Sequence, residues 1–105
     1  MFYELEVGGK VYKLRLDIKS IIALEKKLGC NPLMIFGSGD TIPKTEDMIT
    51  ILFYALQSYN HGITFEDTYT IFENWLAEGH VVTDFVNELL GIFRVSGIIR
   101  SEEKN

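Results

Sequence analysis

The 105-residue chain holds one cysteine, two prolines and no long apolar run. Each scarcity closes off a class of proteins. The lone thiol, Cys30, makes no internal disulfide, so the fold must rest on burial, and the chain suits a reducing compartment. The longest apolar-rich run is MITILFYAL, Met48 to Leu56, far short of the ~18 residues of a membrane span. The start, MFYELEV, is acidic and alternating, so no signal peptide is expected. Basic charge is scarce as well: ten Lys and Arg stand against fifteen Asp and Glu, for a net charge of -5. A phosphate backbone or an anionic membrane calls for a basic surface, so neither nucleic acid nor membrane is an expected partner. Motifs that carry chemistry are missing too. His61 and His80 belong to no HxxxH, CxxC or HExxH pattern, and GSGD lacks the Lys-Ser/Thr of a phosphate loop. Neither a metal nor a cofactor is expected, and the chain reads as a soluble, cytoplasmic protein that is not an enzyme.

What is present is apolar patterning, with 47% hydrophobic and 12% aromatic residues. FYELEV and KVYKLRL, residues 2–7 and 10–16, alternate apolar and polar around Gly8-Gly9. Such alternation predicts a hairpin, acidic on one strand's outer face and basic on the other. Helix 1 is expected after the N-cap Asp17, with Ile18, Ile21, Ile22, Leu24 and Leu28 as its apolar arc and Gly29 as its stop. Asn31-Pro32 opens a short helical piece, NPLMIF. GSGDTIPK, residues 37–44, is the clear loop. Helix 2 starts at Thr45, is apolar nearly all round, and is expected to be central and to run to His61. Helix 3 follows Thr64, which with Asp67 approximates a capping box, and its inner stripe reads Phe65, Tyr69, Phe72 and Leu76. Helix 4 follows Thr83, with Phe85, Val86, Leu89, Leu90, Ile92 and Phe93 on its apolar arc. The expected architecture is α+β, mainly α. A hairpin packs on a bundle of about four helices plus one short piece, as one domain over residues 1–100, with 101–105 a polar tail.

The stretch LQSYNHGITFED, Leu56 to Asp67, has the look of an active-site loop. Every polar residue in it also has a placement role. His61 suits a helix C-terminus, Gly62 a left-handed cap and Thr64 the next N-cap. Cys30 follows a helix C-terminus, where the dipole disfavours a thiolate. A reading as an enzyme using Cys30 or His61 would require a concave polar pocket at one of them. Glu25 falls inside the arc of helix 1, as a rim residue or an ion-pair partner of Arg15 or Lys13.

Phe53, Tyr54, Ile71, Trp75 and Val95 lie off the main apolar stripes, and Ile98 and Ile99 follow the last helix. A small domain seldom exposes several large apolar groups without a use. Phe53, Tyr54, Trp75, Val95, Ile98 and Ile99 are therefore the candidate partner-binding residues, on helical-wheel geometry alone. They also leave room for a homo-oligomer.

The segments YKLRL, KSIIALEKKLGCNPLMIF, ILFYALQSYNHGITFEDTYTIFENWL and VTDFVNELLGIFRVSG, in that order, resemble the tail assembly chaperones of long-tailed bacteriophages. The likeness is to the version in phages and prophages of low-GC Gram-positive bacteria and covers Tyr3 to Ile99. Its most specific pieces are LEKKLGxNPL, HGIT and F-x-V-S-G. The resemblance implies a chaperone that binds the tape measure protein and keeps it soluble until tail tube protein polymerises around it. Tail tube protein is thus a second expected partner. It further implies a place in the host cytoplasm, absence from the mature virion, and a longer frameshifted form. The alternative is a small structural head–tail or tail completion protein.

Overall fold

Gly8 and Gly9 take φ of 60° and 80°, the double positive φ that a type I′ hairpin turn demands. They join β1 (Tyr3–Val7) to β2 (Lys10–Leu14) in an antiparallel pair. The computed structural model describes residues 1–37 and 42–101. Half of the GSGDTIPK loop and most of the polar tail lie outside them. Among the described residues four helices follow the hairpin: α1 (Ile18–Leu28), α2 (Thr45–Leu56), α3 (Phe65–Ala77) and α4 (Phe85–Val95). Short 3-10 segments lie at Pro32–Phe36 and Val82–Asp84. The architecture is α+β and mainly α, as the patterning predicts.

The hairpin register sets Tyr3 opposite Leu14, Leu5 opposite Tyr12 and Val7 opposite Lys10, with Leu5, Val7 and Leu14 buried. On the outer face Glu4 stands opposite Lys13, the cross-strand charge pair that the sequence suggests. β2 ends at Leu14, opposite Tyr3, rather than at Leu16. The freed backbone turns to the helices instead. Arg15 N–H donates to Ala55 O at 3.0 Å, and Leu16 N–H donates to Ser96 Oγ at 2.8 Å. Leu16 stays buried between those two anchors.

α2 is the central helix. It packs against α1, α3, α4 and β2, and it buries Met48, Ile49, Ile51, Leu52, Ala55 and Leu56. Its one buried polar residue, Thr50, donates to Glu46 O at 2.8 Å and so satisfies itself within the helix. The helix stops at Leu56, several residues short of the expected His61. Asn60 Nδ2 turns back to Leu56 O at 2.9 Å and across to Lys13 O at 3.0 Å. Ser58 Oγ donates to Arg15 O at 3.2 Å. These side chains tie the end of the helix to carbonyls of the hairpin segment, and the chain leaves the helix here. His61 is therefore an exposed residue of the connecting turn, not of the helix.

The hairpin is fixed to the helices at both ends. The Tyr3 ring lies across Gly91 of α4, where any Cβ would collide with it. Its hydroxyl donates to Glu88 Oε1 at 2.6 Å. At the other end, Gly8 N–H donates to the Glu78 carboxylate just past α3. Burial, and then the bond to Glu88, raise the Tyr3 pKa well above the usual tyrosine range.

α4 does not open on Thr83. The 3-10 turn Val82–Asp84 leads in, and Asp84 Oδ2 accepts Val81 N–H at 3.0 Å. The far end is a Schellman motif. Gly97 takes φ 79°, Ile98 N–H donates to Phe93 O at 2.9 Å, and Gly97 N–H donates to Arg94 O at 3.2 Å.

Candidate partner-binding surface

The join between α2 and α3 is braced by one side chain. Gln57 Nε2 donates to Phe53 O at 3.0 Å and to Ile63 O at 3.1 Å, bridging the end of α2 to the residue before the next cap. Thr64 Oγ1 then accepts Asp67 N–H at 3.0 Å while Asp67 Oδ2 accepts Thr64 N–H at 2.9 Å. This reciprocal capping box fixes where α3 starts, and so puts Phe65, its first residue, beside Phe53. Four rings line up in consequence. Tyr54 meets Phe53 at 5.0 Å between centroids, Phe53 meets Phe65 at 5.1 Å, and Phe65 meets Tyr69 at 5.2 Å. Two of the contacts are edge-to-face and one is tilted, arrangements worth about 0.5–1.5 kcal/mol each beyond burial. The strip is half-buried at Tyr54, Phe53 and Phe65 and opens to solvent at Tyr69, 42% exposed.

The two helices that build the strip carry acids and no Lys or Arg. From Thr45 to Phe93 the chain carries eight acids and no Lys or Arg. Glu66 and Glu73, both exposed, share the outer face of α3 with Tyr69.

The six candidate contact residues separate into different places. Phe53 and Tyr54 belong to the strip. Trp75 does not reach the surface: it is 2% exposed, in contact with Phe72 and Phe85 and stacked on His80 at 4.2 Å. Its assignment as a partner contact is corrected to core. The error came from the wheel of α3. Its buried face is Thr68, Ile71, Phe72 and Trp75, turned roughly a quarter turn from the expected stripe of Phe65, Tyr69, Phe72 and Leu76. Thr68 masked the true face, being polar by type yet bonded to Thr64 O at 3.0 Å. Ile98 and Ile99 are half-buried against the core, Ile98 as the apolar partner that a Schellman motif sets against Phe93. Val95 lines a separate shallow cleft with Met1, Tyr3, Gly91, Arg94 and Ser101.

Exposed apolar residues that the sequence reading placed inside are found on α1. Ile18 is 70% exposed and Ile22 49%. They share a face with Glu25, which is half-buried at the edge of an open depression lined by Ile22, Lys26, Gly29, Cys30 and Asn31. The glutamate inside the arc was the available signal that this side faces water. No histidine lines that depression among the described residues. Among the described residues no three His, Cys, Asp or Glu side chains are grouped to hold a metal ion. Among them, too, no helix is long and apolar enough to cross a membrane.

Compared with known proteins, residues 3–105 match DUF6096, described as a family of unknown function. No curated protein and no solved structure matches the chain.

Proposed function

Because the chain belongs to the DUF6096 family of unknown function, we propose its role from its own surface and sequence: a non-catalytic tail assembly chaperone that binds the tape measure protein. The observation that carries the reading is the half-exposed strip Tyr54–Phe53–Phe65–Tyr69 on two helices that carry acids and no Lys or Arg. A tape measure protein is a very long helix whose apolar stripes would aggregate if bare. An aromatic strip laid between two helices is a surface on which the apolar face of such a helix can dock. Aromatic anchors give large contact area at small entropic cost, and they dominate binding surfaces for that reason. Net negative charge keeps coated complexes apart in the host cytoplasm. The likeness of LEKKLGxNPL, HGIT and F-x-V-S-G to tail assembly chaperones supports the same role.

The test is co-expression with the tape measure protein encoded in the same tail gene cluster. Wild type should raise the soluble fraction of that protein. The double variant Tyr54→Ser, Tyr69→Ser should unfold cooperatively, as wild type does, yet leave the tape measure protein in the pellet. Equal solubility with either chain would refute the strip as the binding face. Purified virions that contain the protein would favour instead a structural head–tail or tail completion role.

A further inference from the structure

We infer that β1 is a docking edge for an extended, basic segment of another protein, which adds to the hairpin as a third strand. The turn at Gly8-Gly9 makes Val7 and Lys10 the first hydrogen-bonded pair, with Leu5–Tyr12 and Tyr3–Leu14 the next. Residues between such pairs turn their N–H and C=O groups away from the partner strand. On β1 these are Glu4 and Glu6, and both are exposed. Among the described residues their four backbone groups take no hydrogen bond. The rest of the sheet margin is occupied. The Glu78 carboxylate takes Gly8 N–H at the turn. On β2 the outward Lys13 O accepts from Asn60, and Arg15 just beyond is held by Ala55 O and Ser58 Oγ. β1 has no proline, bulge or lysine to turn away an incoming chain. Its guard is the pair Glu4 and Glu6, and that guard admits a basic strand.

The register states what the partner must look like. Side chains directly opposite each other in adjacent strands share a face. Residues opposite Glu4 and Glu6 therefore stand beside two carboxylates on the outer face, where Lys or Arg suits both. Lys13, across the hairpin from Glu4, holds its amine over the Phe2 ring at 4.8 Å. The residues in between fall on the inner face, with Tyr3, Leu5 and Val7, and must be apolar. Opposite Tyr3 there is room for one, because the cleft that Tyr3 shares with Gly91 and Val95, about 410 Å³, opens there. The strand that fits alternates apolar and basic residues along five positions, the length of β1. A second copy of β1 does not fit, since it would set glutamates against glutamates. This edge is separate from the aromatic strip, so the inference does not rest on tape measure binding.

The probe is the blocked peptide acetyl-Val-Lys-Val-Lys-Val-amide, titrated into the isotope-labelled full chain and followed by NMR. Shifts should concentrate on β1, and the Glu4 and Glu6 amides should gain protection from hydrogen exchange. Two N-methylated peptides test the ladder itself. In antiparallel pairing each lysine N–H donates to Glu4 O or Glu6 O, while the central valine N–H points away. Methylating both lysine amides should weaken binding about tenfold or more, the loss for backbone hydrogen bonds left unmade. Methylating the central valine amide should leave binding nearly unchanged. Replacing both lysines by glutamate should abolish it. In the protein, Glu6→Pro removes an N–H that β2 does not use, so the hairpin stays while binding falls. Tyr54→Ser with Tyr69→Ser should bind the peptide as wild type does, even where it leaves a tape measure protein in the pellet. Equal effects of the two methylations would overturn the inference and leave only charge attraction. So would no binding at millimolar peptide, Glu4 and Glu6 amides unprotected at saturation, or a folded Glu6→Pro chain that binds like wild type. The methylated peptides decide the matter even where Glu6→Pro fails to fold.

Discussion

Gly91→Ala should destabilise this protein although it improves a helix. Alanine in place of glycine inside α4 stabilises by about 1 kcal/mol through helix propensity alone. The Tyr3 ring opposes that gain. A Cβ at position 91 would sit 2.6 and 2.7 Å from two ring carbons and closer still to a third. The ring must leave. With it goes the bond to Glu88 Oε1, worth about 1.5–3 kcal/mol because its acceptor is charged. Repacking around the displaced ring adds about 1–3 kcal/mol. The net loss is about 1.5–5 kcal/mol, a large part of the 5–15 kcal/mol typical of a domain. Urea unfolding of four chains measures it: wild type, Gly91→Ala, Tyr3→Ser and the double variant. In the Tyr3→Ser background the clash is gone, so Gly91→Ala should become neutral or stabilising. A Gly91→Ala chain as stable as wild type would refute the reasoning, as would the same loss in both backgrounds.

Other consequences follow from the same contacts. Trp75→Ser should cost at least about 3–5 kcal/mol in thermal or urea unfolding, as for loss of a fully buried aromatic; a cooperative fold of unchanged stability would put the indole back at the surface. Ser96→Ala leaves Leu16 N–H without its acceptor and should cost about 1–3 kcal/mol, whereas Ser96→Thr, which restores a hydroxyl, should recover part of it. Tyr3 holds its proton more tightly in the fold than in the unfolded chain, because of burial and the bond to Glu88. Its contribution is complete below the unfolded tyrosine pKa of about 10 and declines as pH rises past it. Unfolding free energy followed from pH 8 to 11 should fall more steeply in wild type than in Tyr3→Phe.

The parts of the fold written in short stretches were legible. Asp17, Gly29, Asn31-Pro32, Thr64 with Asp67, and Gly97 are caps and stops, and each acts on neighbours within about five residues. Three of the pieces that resemble phage tail chaperones are such joints: Gly29 to Pro32 in LEKKLGxNPL, Gly62 to Thr64 in HGIT, and Ser96-Gly97 in F-x-V-S-G. Contacts between distant residues were not legible. Nothing near Gly91 announces that a ring 88 positions away will lie on it, and nothing near Ser96 announces Leu16. The early stop of α2 was missed for a related reason. Gln57, Ser58 and Asn60 are unremarkable helix residues until β2 and the residue just after it offer carbonyls for two of them.

Reading the surface failed where apolar residues were counted and the polar ones among them were not weighed. Two helices show opposite outcomes of one rule. Thr68 sits in the middle of the buried face of α3 because its hydroxyl finds a partner one turn back, so burying it costs little. Glu25 sits in the apolar arc of α1, and a carboxylate has no such partner within its own helix. The arc therefore cannot all be buried, and α1 turns until Ile21, Leu24 and Leu28 face the core and Glu25 meets the rim. Ile18 and Ile22 lie beyond Glu25 on that turn and are carried out to water with it. A glutamate in an apolar arc thus divides the arc, and the apolar residues on its far side are the ones available to another chain. For this protein that places the unpartnered surface on α1 and on the strip of α2 and α3, not at the buried Trp75.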